Sequence, residues 1–154
     1  MSRLLTDGEQ MMRAGEALPF EMGGWIDTAP FENLLGMVID EAASGKAVLR
    51  MPFMVKLAQG GGLMHGGAIT ALADTAVAMA IKSVLPEGTH FATTELTTRF
   101  MAPVQEGVLI ARAAVNRPQG RTFYGEAILE DEKGEEIACF SSVFRVARGQ
   151  GFDE

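Results

Sequence analysis

The rhythm of hydrophobic and polar positions changes several times along this chain, and the longest change falls near its middle. From Gly66 to Ile81 the residues read GGAITALADTAVAMAI, with side-chain polar groups only at Thr70, Asp74 and Thr75. A segment of this length that is apolar on every face predicts a buried helix. Pro86-Glu87-Gly88 supplies its stop. Upstream, Met37 to Glu41 and Lys46 to Phe53 read as strands joined by the turn Ala43-Ser44-Gly45, a predicted hairpin. Downstream, four stretches have strand character: Thr89 to Met101, Gly107 to Asn116, Arg121 to Leu129 and Glu136 to Val146. The connections are short: Gln105-Glu106-Gly107, Arg117-Pro118-Gln119-Gly120 and Asp131-Glu132-Lys133-Gly134. Short turns imply antiparallel pairing of consecutive strands, hence a meander. The fold class expected is α+β, an antiparallel sheet covering one long central helix.

The N-terminal third is less regular. Residues 6–17 read as a short helix with Thr6 or Asp7 as N-cap, and Met11, Met12 and Leu18 are expected to pack on the body. Pro19, Gly23, Gly24 and Pro30 mark residues 18–30 as loop, anchored by Phe20 and Trp25. Pro30 to Leu35 predicts one helical turn ended by Gly36. The tail from Arg148 to Glu154 is polar and expected to fray.

Composition adds exclusions. A chain of 154 residues is long enough for one well-formed core. The formal net charge of −7 argues against nucleic acid and anionic membranes as partners. The single cysteine, Cys139, rules out an internal disulfide and reads as a core filler. No apolar leader is visible in MSRLLTDGEQ, and the longest uncharged run is broken by glycines, so a cytoplasmic protein is expected. Two histidines and one cysteine are too few for the usual zinc sites, and no metal or cofactor is expected. A Gly-x-Ser-x-Gly elbow is missing, which counts against a Ser-His-Asp hydrolase.

The chemistry concentrates on the central helix. Gly66 and Gly67 leave backbone N–H groups open to close approach at a helix start. Those first N–H groups are unpaired and the helix dipole favours negative charge there, which suits a developing oxyanion. Asp74 has no Lys or Arg three or four residues away on the helix. It reads either as a reacting carboxylate or as a structural partner for an Arg such as Arg99 across a dimer. His65 stands nine residues before it, half a turn out of phase and ~13 Å away along the axis. The two cannot form a dyad within one chain; cooperation would require a second copy. Thr93 and Glu95 share a face by strand alternation.

The run Gly62-Leu63-Met64-His65-Gly66-Gly67-Ala68 through Leu72-Ala73-Asp74-Thr75-Ala76 resembles the hot-dog fold acyl-CoA thioesterases of the PaaI-like group, the phenylacetic acid degradation type. Pro30-Phe31, Leu35-Gly36-Met37, Phe100-Met101-Ala102-Pro103-Val104, Gly120-Arg121-Thr122, Asp131 to Gly134 and Ile137-Ala138 extend the resemblance over roughly residues 30 to 147. It implies a hot-dog domain at 30–147, an N-terminal extension at 1–29 and a tail at 148–154. It implies a five- or six-stranded antiparallel sheet around the helix, and a homodimer at minimum with active sites at the interface, commonly a homotetramer built as a dimer of dimers. The implied reaction is hydrolysis of an acyl-CoA thioester to acid and coenzyme A. The implied catalytic set is Asp74 as base or nucleophile, Gly66 N–H as carbonyl-polarising donor, His65 beside it, and Thr93 near the carboxylate. Gln59 stands where the family has Asn. Gly67, Arg117, Arg121 and Thr122 are the candidate substrate contacts, the arginines for the phosphates of coenzyme A. The alternative is a non-catalytic hot-dog module that holds acyl-CoA as a ligand.

Overall fold

The computed structural model describes residues 1–116 and 120–152. In chain order the elements are β1 (Arg3–Leu4), β2 (Phe20–Glu21), α1 (Pro30–Leu35), β3 (Val38–Ala43), β4 (Lys46–Pro52), α2 (Gly66–Lys82), β5 (Phe91–Phe100), β6 (Val108–Val115), β7 (Thr122–Glu130) and β8 (Glu136–Val146). A 3-10 turn, Val55–Leu57, precedes α2. The six longer strands form one antiparallel sheet in the order β3-β4-β6-β7-β8-β5. Its inner face covers α2, as the hot-dog reading of the sequence expects.

Alternation decides which side chains meet the helix. Ala47, Leu49 and Met51 of β4, Leu109, Ala111 and Ala113 of β6, and Phe123, Ala127 and Leu129 of β7 are buried inward. They pack on Leu72, Ala73, Ala76, Val77, Ala80 and Ile81 of α2. The many alanines let helix and sheet approach closely. The approach is tightest at Gly125 of β7, where a Cβ would lie 2.2 Å from Val77 Cγ1 and 3.0 Å from Ser142 Oγ. A strand glycine of this kind marks a close approach. Gly125→Ala is therefore expected to destabilise the fold by about 1–3 kcal/mol through overpacking. Thermal or urea unfolding checks this, and an unchanged midpoint would contradict it.

The structure corrects the sequence expectation at five places. The first is residues 6–17, which form turns and not a helix. Thr6 Oγ1 accepts from Gly8 N at 3.2 Å and Asp7 Oδ1 accepts from Glu9 N at 3.0 Å. Side chains of this type offer the backbone a local alternative to helix. Gly8 and Gly15 both sit at positive φ. Met11, Met12 and Leu18 are accordingly solvent-facing, Met11 at 88% exposure.

The second correction is the meander. Of the four strands after α2, only β6, β7 and β8 pair in succession; β5 pairs with β8 at one edge of the sheet, and β6 returns to β4. The link Gln105-Glu106-Gly107 is thus a crossing between sheet regions, not a hairpin turn. Third, β5 shifts register between Thr93 and Glu95. The extra residue at this bulge reverses the alternation. Thr93 then faces α2, while Glu95 joins Thr97 and Tyr124 on the outer face.

Fourth, Cys139 is half-buried and pairs with Arg99 and Ile128 in neighbouring strands, while the inward core position belongs to Phe140. Fifth, the tail docks as far as it is described. Ala147 N donates to His90 O at 2.8 Å, His90 N donates to Gln150 Oε1 at 3.1 Å, and Phe152 packs on the core.

Two turns coincide with the expectation. The β3–β4 turn runs through Ser44 and Gly45, both at positive φ as a tight hairpin requires. Gly36 caps α1 in the left-handed region. Among the described residues no helix is long and apolar enough to cross a membrane.

Candidate active site

Helix α2 begins at a stapled corner. Leu57 O accepts from His65 N at 2.8 Å and Val104 O accepts from Met64 N at 2.9 Å, so the chain entering the helix is held from two sides. His65 is the N-cap. Its carbonyl accepts from Ala68 N, and its Nδ1 accepts from Gly67 N at 2.8 Å. An accepting Nδ1 carries no proton, so any proton on a neutral ring sits on Nε2.

This capping divides the two glycines. Gly67 N–H is satisfied by the His65 ring, and Gly67 itself lines the cleft that holds Asp74. Gly66 N–H has no acceptor among the described residues. It is the orphan donor expected at a helix start. A Cβ on Gly66 would lie 3.2 Å from Phe100 Cζ, so the backbone here is closely lined.

Gln59 sits in the loop before the helix. Gln59 N donates to Leu63 O and Gly62 N to Gln59 O, which closes the glycine run into a compact turn. The Gln59 side-chain Oε1 accepts from Gly61 N, so the oxygen end of the amide is engaged by its own loop. Gln59 and Gly66 line a shared hollow of about 370 Å³, together with Ile69, Phe100 and Met101.

Asp74 opens elsewhere. It lines a cleft of about 610 Å³ with Thr70, Ala78 and Lys82 of α2, Thr93 and Leu96 of β5, Phe144 of β8 and Trp25 of the N-terminal segment. Thr93 Oγ1 donates to Asp74 Oδ1 at 2.9 Å. Burial pushes the Asp74 carboxyl above the usual carboxylate range; the Thr93 hydroxyl, which favours the charged form, offsets this in part. Arg99, considered as a partner for Asp74, lies on the outer sheet face beside Arg112 and Cys139. Thr70 and Thr98 hydroxyls lie 3.0 Å apart and tie α2 to β5 just below the carboxylate.

The structure therefore brings Asp74 and Thr93 together, brings Gly66 and Gln59 together, and keeps the two pairs apart. The eight residue steps from Gly66 to Asp74 span ~12 Å of helix axis. Arg121 departs from its expected place as a solvent-facing cation. It is buried, and its Nη1 donates at 3.2 Å to the carbonyl of Val146, the last residue of β8. Thr122 is half-buried at the start of β7 and lines neither hollow. Arg117 lies outside the described residues.

Sequence reasoning missed Trp25 and Lys82 as cleft residues. The available signal was weak: Lys82 is the only basic residue of α2 and follows Asp74 at two helical steps of four. Nothing local announces that Trp25, 57 residues upstream, meets it.

The sequence profile of the thioesterase superfamily matches residues 61–138. A "Putative esterase" of Halobacterium salinarum is 32% identical over 135 residues, covering 80% of this chain and 89% of that one. The proofreading thioesterase EntH of Klebsiella pneumoniae is 31% identical over 100 residues, covering 65% of this chain and 73% of that one. Among solved structures, the PaaI protein of the E. coli phenylacetic acid degradation operon aligns with a TM-score of 0.72 at 26% identity, over 79% of this chain and 87% of that one. The chain belongs to the thioesterase superfamily. Within it, the chain is a hot-dog fold protein of the PaaI-like kind, and it is a thioester hydrolase.

Proposed function

We propose that this protein hydrolyses acyl-CoA thioesters to the free acid and coenzyme A, at sites shared between two copies of the chain. One observation carries the shared site: Asp74 and the free Gly66 N–H open into different hollows of the same chain. A single carbonyl cannot reach both across ~12 Å of helix. Two copies related by a twofold axis can set one copy's Asp74 against the other's Gly66. The edge strand β5 supports this pairing. It is ten residues long, and its only strand partner among the described residues is β8, which leaves one edge open. An open edge of this length is a template for a further strand. Tyr124 and Ile128, exposed on the outer sheet face, give two such dimers a surface on which to stack as a tetramer.

In this reading the thioester oxygen rests on Gly66 N–H, where negative charge develops. Asp74 of the other copy takes a proton from water that attacks the carbonyl carbon, or attacks that carbon itself. Collapse of the tetrahedral intermediate breaks the C–S bond and expels the coenzyme A thiolate, which takes up the proton; where Asp74 itself has attacked, water then hydrolyses the acyl–aspartyl anhydride to the free acid and restores the carboxylate. His65 holds the helix start in shape, and the Gln59 amide nitrogen assists at the same hollow. Residues 1–29 act as an extension to the hot-dog domain of 30–147, with 148–154 as its tail.

Release of free thiol from a panel of acyl-CoAs tests the reaction; no release from any member contradicts it. The Thr93–Asp74 bond adds a sharper test. The hydroxyl stabilises the ionised carboxylate, so its loss raises the Asp74 pKa further. Thr93→Val is expected to move the acid limb of the kcat/KM profile to higher pH. An unmoved limb would remove Asp74, or its bond to Thr93, from the mechanism.

A further inference from the structure

We infer that Trp25, locked to Lys82 at the far end of the Asp74 cleft, is the stop that limits the length of the acyl group. The inference rests on the reading of Asp74 as the reacting carboxylate.

The cleft has a direction. Asp74, Ala78 and Lys82 succeed one another at steps of four along α2 and all line it. From Asp74 to Lys82 the helix advances ~12 Å. An acyl chain whose carbonyl lies at Asp74 has a floor to run along: the small side chain of Ala78 leaves room, and Phe91 and Phe144 stand opposite with ring centroids 5.9 Å apart.

At the far end of the cleft, Trp25 and Lys82 are fastened to each other. Trp25 Nε1 donates to Lys82 O at 3.0 Å, and Lys82 Nζ donates back to Trp25 O at 3.0 Å. The same ammonium lies 4.7 Å from the indole centroid, within the range of a cation–π contact. The segment that carries Trp25 is itself tied down. Ser2 N donates to Thr28 O at 2.8 Å, Asn33 Nδ2 donates to Ser2 Oγ at 2.8 Å, and the N-terminal ammonium pairs with Asp27 at 2.9 Å. An indole held by one hydrogen bond and a cation–π contact, on a strap whose backbone carbonyl is fastened by the same lysine, cannot swing aside cheaply for a longer chain. The acyl class that fits is of medium length, spanning no more than the ~12 Å from Asp74 to Lys82.

The test is kcat/KM of the full chain for butanoyl-, hexanoyl-, octanoyl-, dodecanoyl-, palmitoyl- and phenylacetyl-CoA. Wild type, Trp25→Ala and Ala78→Leu are compared. Wild type is expected to lose about tenfold or more once the chain outgrows the cleft. Trp25→Ala is expected to raise the ratio of palmitoyl-CoA to butanoyl-CoA kcat/KM at least about tenfold. Ala78→Leu narrows the cleft midway from the helix side, on a helix that accepts either residue, and shifts the optimum to shorter chains. It reports on the same channel even where Trp25→Ala loosens the strap. If neither variant changes the chain-length profile while butanoyl-CoA is still hydrolysed, the stop is overturned and the Asp74 reading stands. If wild type is inert on every member, the acyl-CoA reading falls and takes this inference with it.

Discussion

Asp74→Asn is expected to lower kcat/KM for acyl-CoA hydrolysis by about 10²–10⁴-fold, the usual worth of a positioned base. Asparagine keeps the shape and can still accept from Thr93 Oγ1, so loss of the charge is the main change. The pH dependence gives the sign. Burial raises the folded-state pKa of Asp74, and both routes open to it need the ionised form. Activity should therefore rise with pH through a limb displaced above the ordinary aspartate value, and Asp74→Asn should abolish that limb. Stability should move the other way. A carboxyl whose folded pKa is raised contributes stability that is fully present below its unfolded pKa and lost as pH rises through the folded value. At neutral pH Asp74 is then a liability to the fold. The variant is expected to unfold at the same temperature as wild type or higher, with turnover collapsed. That combination separates a functional carboxylate from a structural one, since loss of a structural partner would lower both.

Gly66→Pro is expected to lower kcat by about 10²–10³-fold, the typical cost of removing one oxyanion donor. Proline would be destructive at most helical positions, but Gly66 is the first residue of α2. There proline is well tolerated, because its missing N–H has no intrahelical partner to lose. The preceding residue must be extended, and His65 already is, at φ −60° and ψ 131°. The N–H deleted is the one without an acceptor among the described residues. A new Cβ does press on the Phe100 ring, whose residue is 53% exposed and free to shift outward. Gly66→Ala carries the same Cβ and keeps the donor, so the ratio of the two variants isolates the N–H. Equal rates in both would assign the loss to Phe100 and remove Gly66 from the oxyanion site.

How much of this was readable in the sequence depends on how local the cause is. Helix α2 was plain because its own residues specify it: an apolar run, a glycine-rich start and a Pro-Glu-Gly stop. β8 matched its expected bounds because strict alternation of Phe140, Ser142, Phe144 and Val146 inward leaves little choice of register. The separation of Asp74 from the helix start followed from residue count alone. The failures are non-local or arise where two local options compete. Thr6 and Asp7 suit both a helix cap and a turn, and the turn won because Gly8 and Gly15 take left-handed conformations. The edge position of β5 rests on its pairing with β8, a strand far along the chain, which no short-range pattern records. The single bulge after Thr93 was enough to place Glu95 on the wrong face. Trp25 against Lys82 is a contact across 57 residues, visible only once the strap is folded over the cleft.

The central claim, one site built from two copies, is tested most directly by complementation. Asp74→Asn and Gly66→Pro are each nearly inactive alone. When they are co-refolded at equal amounts, half of the dimers are mixed. Each mixed dimer joins the Asp74 of one variant to the Gly66 N–H of the other. One of its two sites is then intact, so the mixture should recover about one quarter of wild-type activity. A mixture no more active than its separate components would contradict a shared site.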